Sequence, residues 1–499
     1  MDRLTGLDYG IILHVLHFLD CRSLAKTNQV NTTLCVLSRL LLVKTPEWTT
    51  VYDAICDEEG MEDVYGTSSQ RNFLRKYVNK VYDDAKCFPN TGFLFVESQG
   101  GFQEENMTDF AALLPPRATV VCACCPGIIA LDNNGNLSNE ASTAPNAFET
   151  DVSYDDTEKI SLSLANMPDT HRIAFHVTAD DIAADPIAAA ESALPCIDQD
   201  DDRGSWKVIV LLVEARSGGA DAFVNALQDK YQHCAIVGGI MGGTGGSPLC
   251  IASGGEAHLH ESGIVGLAIS GDVVFSSQVS RACKPCSPIG RICADDFGRI
   301  DNYEDGILLN TVTVDGTTCP AATFVNSGFV NARRSMAFIG MTDNLGNGFT
   351  LHPELFFMDP GLASSTHIQV FALDATSSKE DLRLRLEAAR RACVADAKKM
   401  LGALLFTCNG RGARFYGEAY VESNIFAQSV GADVGLGGFF AGGEIGPEAL
   451  AALPPQSDYR RGAQMQGFTS VFGCFFIKKL MPPAGGVIRN ALENRTFVF

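Results

Sequence analysis

The sequence predicts an α/β protein, with a small helical unit at the N-terminus and a larger body of repeated strand–helix–strand units around mixed β-sheets. Three observations predict it. Apolar residues from Leu7 to Leu19 recur at three- and four-residue spacing, the mark of one apolar helix face. Three later segments share a plan of strand, helix, apolar strand and glycine break. The longest helical pattern, Lys379–Leu401, leads straight into an apolar strand at Leu404.

Composition narrows the function. The chain is 46% hydrophobic and 9% aromatic, enough for a sizeable packed core over its 499 residues. A formal charge of −21 excludes a phosphate backbone as partner, because that binding depends on Lys and Arg neutralising phosphates. It also opposes adhesion to an anionic membrane, and no apolar run approaches the roughly 20 residues that span a bilayer. The N-terminus has no basic region ahead of its apolar stretch and no small-residue cleavage site, so it does not read as a signal peptide. Its 17 cysteines are scattered and odd in number, which fits free thiols in the cytoplasm or nucleus.

In chain order, residues 4–50 hold three short helices. Asp8 caps the first, Asp20 the second, which runs through Leu24, and Asn31 the third, which carries Leu34, Leu37, Leu40 and Leu41. A further helix is expected from about Ser69 to Lys86, with Phe73, Tyr77 and Val81 on one face. The first clear strand is Gly92–Glu97. The apolar run Thr119–Ala130 is broken by Pro126-Gly127. Asp132–Glu158 is a polar insertion, and a second acidic loop covers Asp198–Arg203. Lys207–Val213 is a β-branched strand, followed by a helix from Gly219 to Gln232 presenting Phe223, Leu227 and Tyr231. His258–Ser270 and Val273–Val279 read as strands paired across a Gly271-Asp272 hairpin turn. Asp295–Pro360 is mostly strand and turn. The long helix carries Ser377 and Glu380 as a capping box and Leu382, Leu386, Ala389, Cys393 and Ala397 down one side, and Gly467–Lys478 is a final strand.

The repeated units are GFLFVES to VVCACCPGII, KVIVLLVEA to AIVGGIMGGTGGSP, and GALLFTCNG to GLGGFFAGGEIGP. A helix crossing between two apolar strands is the parallel βαβ signature. In the last two units Gly238-Gly239 parallels Gly437-Gly438, and Gly242-Gly243 parallels Gly442-Gly443 after one extra residue.

The stretch LDYGIILHVLHFLDCRSLAKTNQVN resembles an F-box, with Leu7, Val15, Leu16, Phe18, Leu19, Leu24 and Val30 on the pattern's apolar positions and departures at Asp8 and Gly10. LLFTCNGRG (Leu404–Gly412), GFFAGGEIGP (Gly438–Pro447) and GFTSVFG (Gly467–Gly473) resemble the FIST domain. Together they are similar to F-box-only ubiquitin-ligase receptors with a FIST body. The resemblance implies an F-box over 1–50 and a FIST N-terminal domain over 66–320, with insertions near 132–158 and 197–204. A FIST C-terminal domain over 321–480 and a tail over 481–499 complete it. It also implies a non-catalytic receptor of an SCF-type ligase. Leu7, Ile11, Val15, Leu16, Leu19 and Leu24 would face a Skp-type adaptor with its cullin–RING ligase, and the body would bind a protein degradation substrate. The alternative it leaves is a sensory module binding a small amino-acid-like ligand.

Within the third unit, Cys408, Arg411 and Glu444 lie in adjacent turns. A thiol beside Arg411 is expected to have a lowered pKa, Arg411 to suit a carboxylate and Glu444 an amine, unless Arg411 and Glu444 simply pair with each other. The glycine runs lack the Lys-Ser/Thr of a phosphate loop and read as close packing. Cys283 and Cys286 have CxxC spacing without a second pair. His258 and His260 share a strand face without a third histidine nearby in sequence. No metal, cofactor or catalytic residue is expected.

Overall fold

The computed structural model describes residues 46–54, helical residues between 74 and 81, and 88–97, 101–131, 147–149, 159–195, 205–241 and 246–288. It further describes short pieces between 290 and 358, then 367–395, 398–447 and 462–478. The expected F-box helices, most of the two polar insertions and the tail lie outside the described residues. The α/β class holds.

Among the described residues, eighteen strands make the three repeated sheets, six from each unit, and shorter strands between 283 and 373 form two further sheets. The first unit supplies β1 (Glu47–Ala54), β2 (Thr91–Glu97), β3 (Thr119–Cys125), β4 (Ile128–Leu131), β5 (Ala147–Glu149) and β6 (Lys159–Asn166). The second supplies β7 (Thr170–Val177), β8 (Trp206–Glu214), β9 (Ala235–Met241), β10 (Leu249–Ser253), β11 (Glu256–His260) and β12 (Ile264–Gly271). The third supplies β13 (Val274–Arg281), β14 (Lys398–Cys408), β15 (Gly435–Ala441), β16 (Glu444–Pro447), β17 (Ala463–Gln466) and β18 (Thr469–Lys478). Helices α1 (Glu104–Leu113), α4 (Ala220–Lys230) and α7 (Val421–Val430) are the three crossovers. The others are α2 (Ala179–Ala184), α3 (Pro186–Ala193), α5 (Ala375–Ala395) and the short α6 (Ala413–Tyr416).

Each crossover joins a parallel pair, β2 with β3, β8 with β9 and β14 with β15, as the repeat predicts. Each pair sits inside a six-stranded sheet, and the three sheets have one plan. Their orders are β1-β6-β2-β3-β10-β11, β7-β12-β8-β9-β16-β17 and β13-β18-β14-β15-β4-β5. Four strands of every sheet come from one unit and the last two from another. The Pro126-Gly127 break hands β4–β5 to the third sheet, the run after Met241 hands β10–β11 to the first, and Gly442-Gly443 hands β16–β17 to the second.

Both faces of the parallel strands are buried, so they are continuously apolar rather than alternating. One face of each sheet, represented by Phe95, Leu212 and Phe406, meets in a shared central core. The opposite faces pack under helices: Phe110 of α1 with Leu94, Phe223 of α4 with Leu211, and Phe426 of α7 with Leu405. Leu74, Val78 and Val81 join the first of these outer layers.

Several expectations change. Residues 47–50 are strand, not helix. Trp48 lies so close over Gly402 and Gly435 that a Cβ there would sit 2.2 and 2.8 Å from its ring, and it stacks on Phe93. Gly271-Asp272 is not a hairpin turn, because β12 pairs with β7 and β8 in the second sheet while β13 pairs with β18 in the third. The long helix starts at Ala375, with Asp374 rather than Ser377 as cap, its Oδ1 accepting from Ser377 N at 2.7 Å, and strand begins already at Lys398. The glycine alignment shifts by one. Gly238 pairs with Leu211 and Gly438 with Leu405, and a Cβ would meet those carbonyl oxygens at 2.0 and 1.9 Å. In this register Gly242 and Gly243 align with Gly442 and Gly443 with no extra residue.

Candidate functional site

In an α/β sheet the carboxyl ends of parallel strands are where ligands gather. Among the three units, the end of β14 carries the densest polar cluster. The strand stops at Cys408, a single 3₁₀ turn (Asn409–Arg411) follows, and α6 begins behind Gly412. This turn sends the Arg411 side chain inward, where it is fully buried.

Arg411 Nε donates to Glu422 Oε1 at 2.7 Å, Nη1 to the Ser280 carbonyl at 2.9 Å, and Nη2 to Ser280 Oγ at 3.3 Å and Tyr416 Oη at 2.9 Å. Glu422 also accepts from Tyr416 Oη at 2.7 Å and from Ser470 Oγ at 2.9 and 2.7 Å. Ser470 Oγ lies 2.5 Å from Thr407 Oγ1, and Tyr416 Oη 3.1 Å from Ser378 Oγ. Burial opposes the Arg411 charge, but Glu422 and Tyr416 outweigh it and hold the guanidinium above its ordinary range. The Arg411 partner is therefore Glu422 and not Glu444.

Glu444 is also fully buried. Its Oε2 accepts from Thr469 N at 3.1 Å and Thr469 Oγ1 at 2.8 Å, while Oε1 meets no hydrogen-bond partner among the described residues. Burial pushes its carboxyl up to about 8, against the Thr469 bonds, the Arg411 charge and Cys408. Cys408 is not an activated thiol. Burial, with Glu444 adding to it, pushes Cys408 up to about 12, and Arg411 opposes this only weakly. Cys408, Arg411 and Glu444 are brought together, but as a buried group.

The equivalent rows of the other units explain what is unusual here. Glu97 ends β2 and meets Lys159 Nζ at 3.4 Å, and Glu214 ends β8 and accepts from Arg216 N and Nε at 3.0 and 2.8 Å. In the third unit this strand-end carboxylate gives way to Cys408, and Glu422 and Glu444 arrive from a helix and a neighbouring strand. Glu422, Tyr416, Ser280 and Ser470 escaped sequence reasoning, since no local motif links them. The repeated acid at the ends of β2 and β8 was the available signal.

Of the remaining candidates, Cys283 is pushed up to about 12 by burial. His260 does have a histidine neighbour: His176, from the second sheet, stacks on it at 3.7 Å. Among the described residues no group of three or more His, Cys, Asp or Glu side chains is placed to hold a metal ion. No helix among them is long and apolar enough to cross a membrane. Leu7, Ile11, Val15, Leu16, Leu19 and Leu24 lie outside the described residues.

Comparison with known families matches a FIST N domain to residues 90–296 and a FIST C domain to residues 360–447. Two uncharacterized proteins, one of Mycobacterium bovis and one of Mycobacterium tuberculosis, are each 46% identical over 76 residues, 15% of this chain and 19% of theirs. Another uncharacterized Mycobacterium tuberculosis protein is 25% identical over 279 residues, 50% of this chain. The match spans 65% of that relative's length.

Proposed function

From the FIST N and FIST C domains that this chain contains, we propose a non-catalytic receptor, the substrate-recognition subunit of a cullin–RING ubiquitin ligase. In this reading the body binds the protein to be ubiquitylated, and residues 1–50 dock a Skp-type adaptor through Leu7, Ile11, Val15, Leu16, Leu19 and Leu24. The observation that carries it is the F-box-like apolar pattern between Leu7 and Val30, set directly before a FIST body. A receptor of this kind performs no chemistry and acts by raising the effective concentration of its cargo at the ligase, in the cytoplasm or nucleus. The interior of the body suits that role, because Arg411 and Glu422 spend their bonds on the protein itself and so stiffen the scaffold. Replacing Leu16 and Leu19 together by Asp is expected to abolish co-purification of the adaptor from cells. Undiminished recovery would remove the ligase reading.

A second reading, a sensor of a small amino-acid-like ligand, is favoured by one observation, the Glu444 carboxylate oxygen that has no hydrogen-bond partner among the described residues. An amine of the ligand would complete it. In a thermal-shift panel of amino acids, this reading expects a rise in Tm that Glu444→Gln loses. A panel without any rise, or a rise unchanged in the variant, rejects it.

A further inference from the structure

Two helical faces on the outside of the body each expose one large apolar side chain, and they carry opposite charge. On α3, Ala189 and Ala190 turn inward to the outer layer of the second sheet, which leaves Ile187 outside. On α5, Leu382, Leu386 and Ala389 turn inward and leave Leu384 outside. Ile187 is 58% exposed and Leu384 45%, the two most exposed large apolar side chains among the described residues. The next, Tyr420 at 38%, stacks on Phe148. A lone exposed apolar residue is ordinary on a protein surface, so the argument rests on the charges around these two.

Helices α2 and α3 carry Asp180, Asp181, Asp185 and Glu191 and no basic residue. Asp185 Oδ1 accepts from Ile187 N and Ala188 N at 3.0 Å, and Asp181 Oδ2 from Thr178 Oγ1 at 2.6 Å, bonds that hold the carboxylates without neutralising them. Lys230 of α4 reaches α3, but its ammonium donates to the backbone carbonyls of Glu191 and Leu194. Glu191 follows Ile187 by one turn and shares its face.

Helix α5 is the reverse, with five basic residues against three acidic ones. Arg383 meets Glu380 and Glu387 at 2.7 and 2.5 Å, and Arg385 meets Asp381 at 3.4 Å. That matches the acids and leaves a positive excess. Arg390 Nη1 donates to the Ser429 carbonyl at 3.2 Å, and Arg391, two turns beyond Leu384 on the same face, stands 3.9 Å from Glu387. In a chain of net charge −21 this helix is a local exception.

We propose that the Ile187 face and the Leu384 face are the two halves of a head-to-tail contact between copies of this chain, α2–α3 of one copy seated on α5 of the next. The charges select this arrangement. A two-fold contact would set acid against acid at α3 or base against base at α5, whereas the unlike faces attract and each covers the other's apolar side chain. Two helical faces of this kind make a weak, salt-sensitive contact. The contact involves none of residues 1–50 and stands apart from the ligase reading.

Sedimentation velocity of the full chain, over about a hundredfold range of concentration, tests it. At about 0.05 M salt the mean sedimentation coefficient is expected to rise with concentration, and at about 0.5 M salt to fall back toward the monomer value. Ile187→Lys and Leu384→Glu, both at exposed positions, are each expected to weaken self-association about tenfold or more. Mixed one to one, each variant supplies the face that the other lacks, so complexes are expected to reappear. The proposal is overturned if the wild type stays monomeric throughout, if association persists in either variant or strengthens with salt, or if the mixture stays monomeric. A monomeric wild type would leave these faces to a different protein.

Discussion

Arg411 shows how a large charged side chain can be fully buried. Desolvating an ion pair costs several kcal/mol per ion, and only good geometry with further hydrogen bonds offsets it. Here Glu422 supplies the opposite charge at 2.7 Å, and Ser280, Tyr416 and Ser470 take up the remaining donors and acceptors. Glu444 is the contrasting case, a buried carboxyl with one oxygen that meets no hydrogen-bond partner among the described residues. Its carboxyl titrates near 8 in the folded protein, against an ordinary value of 4.5. The folded state thus keeps a proton that the unfolded chain releases. That contribution to stability is fully present below about 4.5 and is lost as pH rises to about 8. Glu149, raised to about 7 mainly by burial, acts in the same direction over a narrower range. In Glu444→Gln, whose amide oxygen can still accept from Thr469, the fall in Tm between pH 5 and pH 8.5 is expected to be smaller than in the wild type. Parallel Tm profiles for the two proteins would contradict this.

At the scale of elements, the sequence showed the crossover units clearly and their partners poorly. The runs FLFV, VIVLLV and ALLF are apolar on every residue because both sheet faces are covered, and each is followed by a helix, so the parallel pairs could be read directly. The donated hairpins could not. Local pattern fixes neither which sheet a strand joins after a glycine break nor whether Gly271-Asp272 turns the chain back or passes it to another sheet. That choice is made by distant groups. Glu149 on β5 accepts from Ser423 N and Oγ at 2.5 and 2.6 Å, capping α7 of the unit that receives its strand. Gln228 of α4 accepts from Ala463 N at 2.9 Å, holding β17 in the second sheet. β1 was misread for a related reason. Trp48, Thr49, Thr50 and Val51 favour strand, but their partner β6 lies more than a hundred residues away. For the candidate site, Cys408, Arg411 and Glu444 were visible because glycine turns flank them. Glu422 and Ser470 were not, because only the fold brings a helix and a late strand to the same turn.

The whole molecule follows from the exchange of hairpins. Residues 90–296 match one domain and 360–447 another, yet none of the three repeated sheets belongs to a single unit. A piece ending at residue 320 keeps the first sheet complete, but it leaves the second without β16–β17 and β4–β5 without β15. It also leaves β13 without β18. A piece starting at residue 321 keeps only β18-β14-β15 of the third sheet, with apolar edges exposed on both sides and Phe406 and Phe439 without the central core they share with Phe95. Each exposed edge is a row of unpaired backbone groups beside a large apolar surface, so neither piece can bury enough to offset its ordering entropy. Produced separately, 46–320 and 321–480 are expected to aggregate or to melt without a cooperative transition. Co-expressed, they are expected to co-purify and to regain a single sharp transition in circular dichroism. If either piece alone unfolds cooperatively as a soluble monomer, the hairpin exchange is not what holds the body together, and its two matched regions are separable domains.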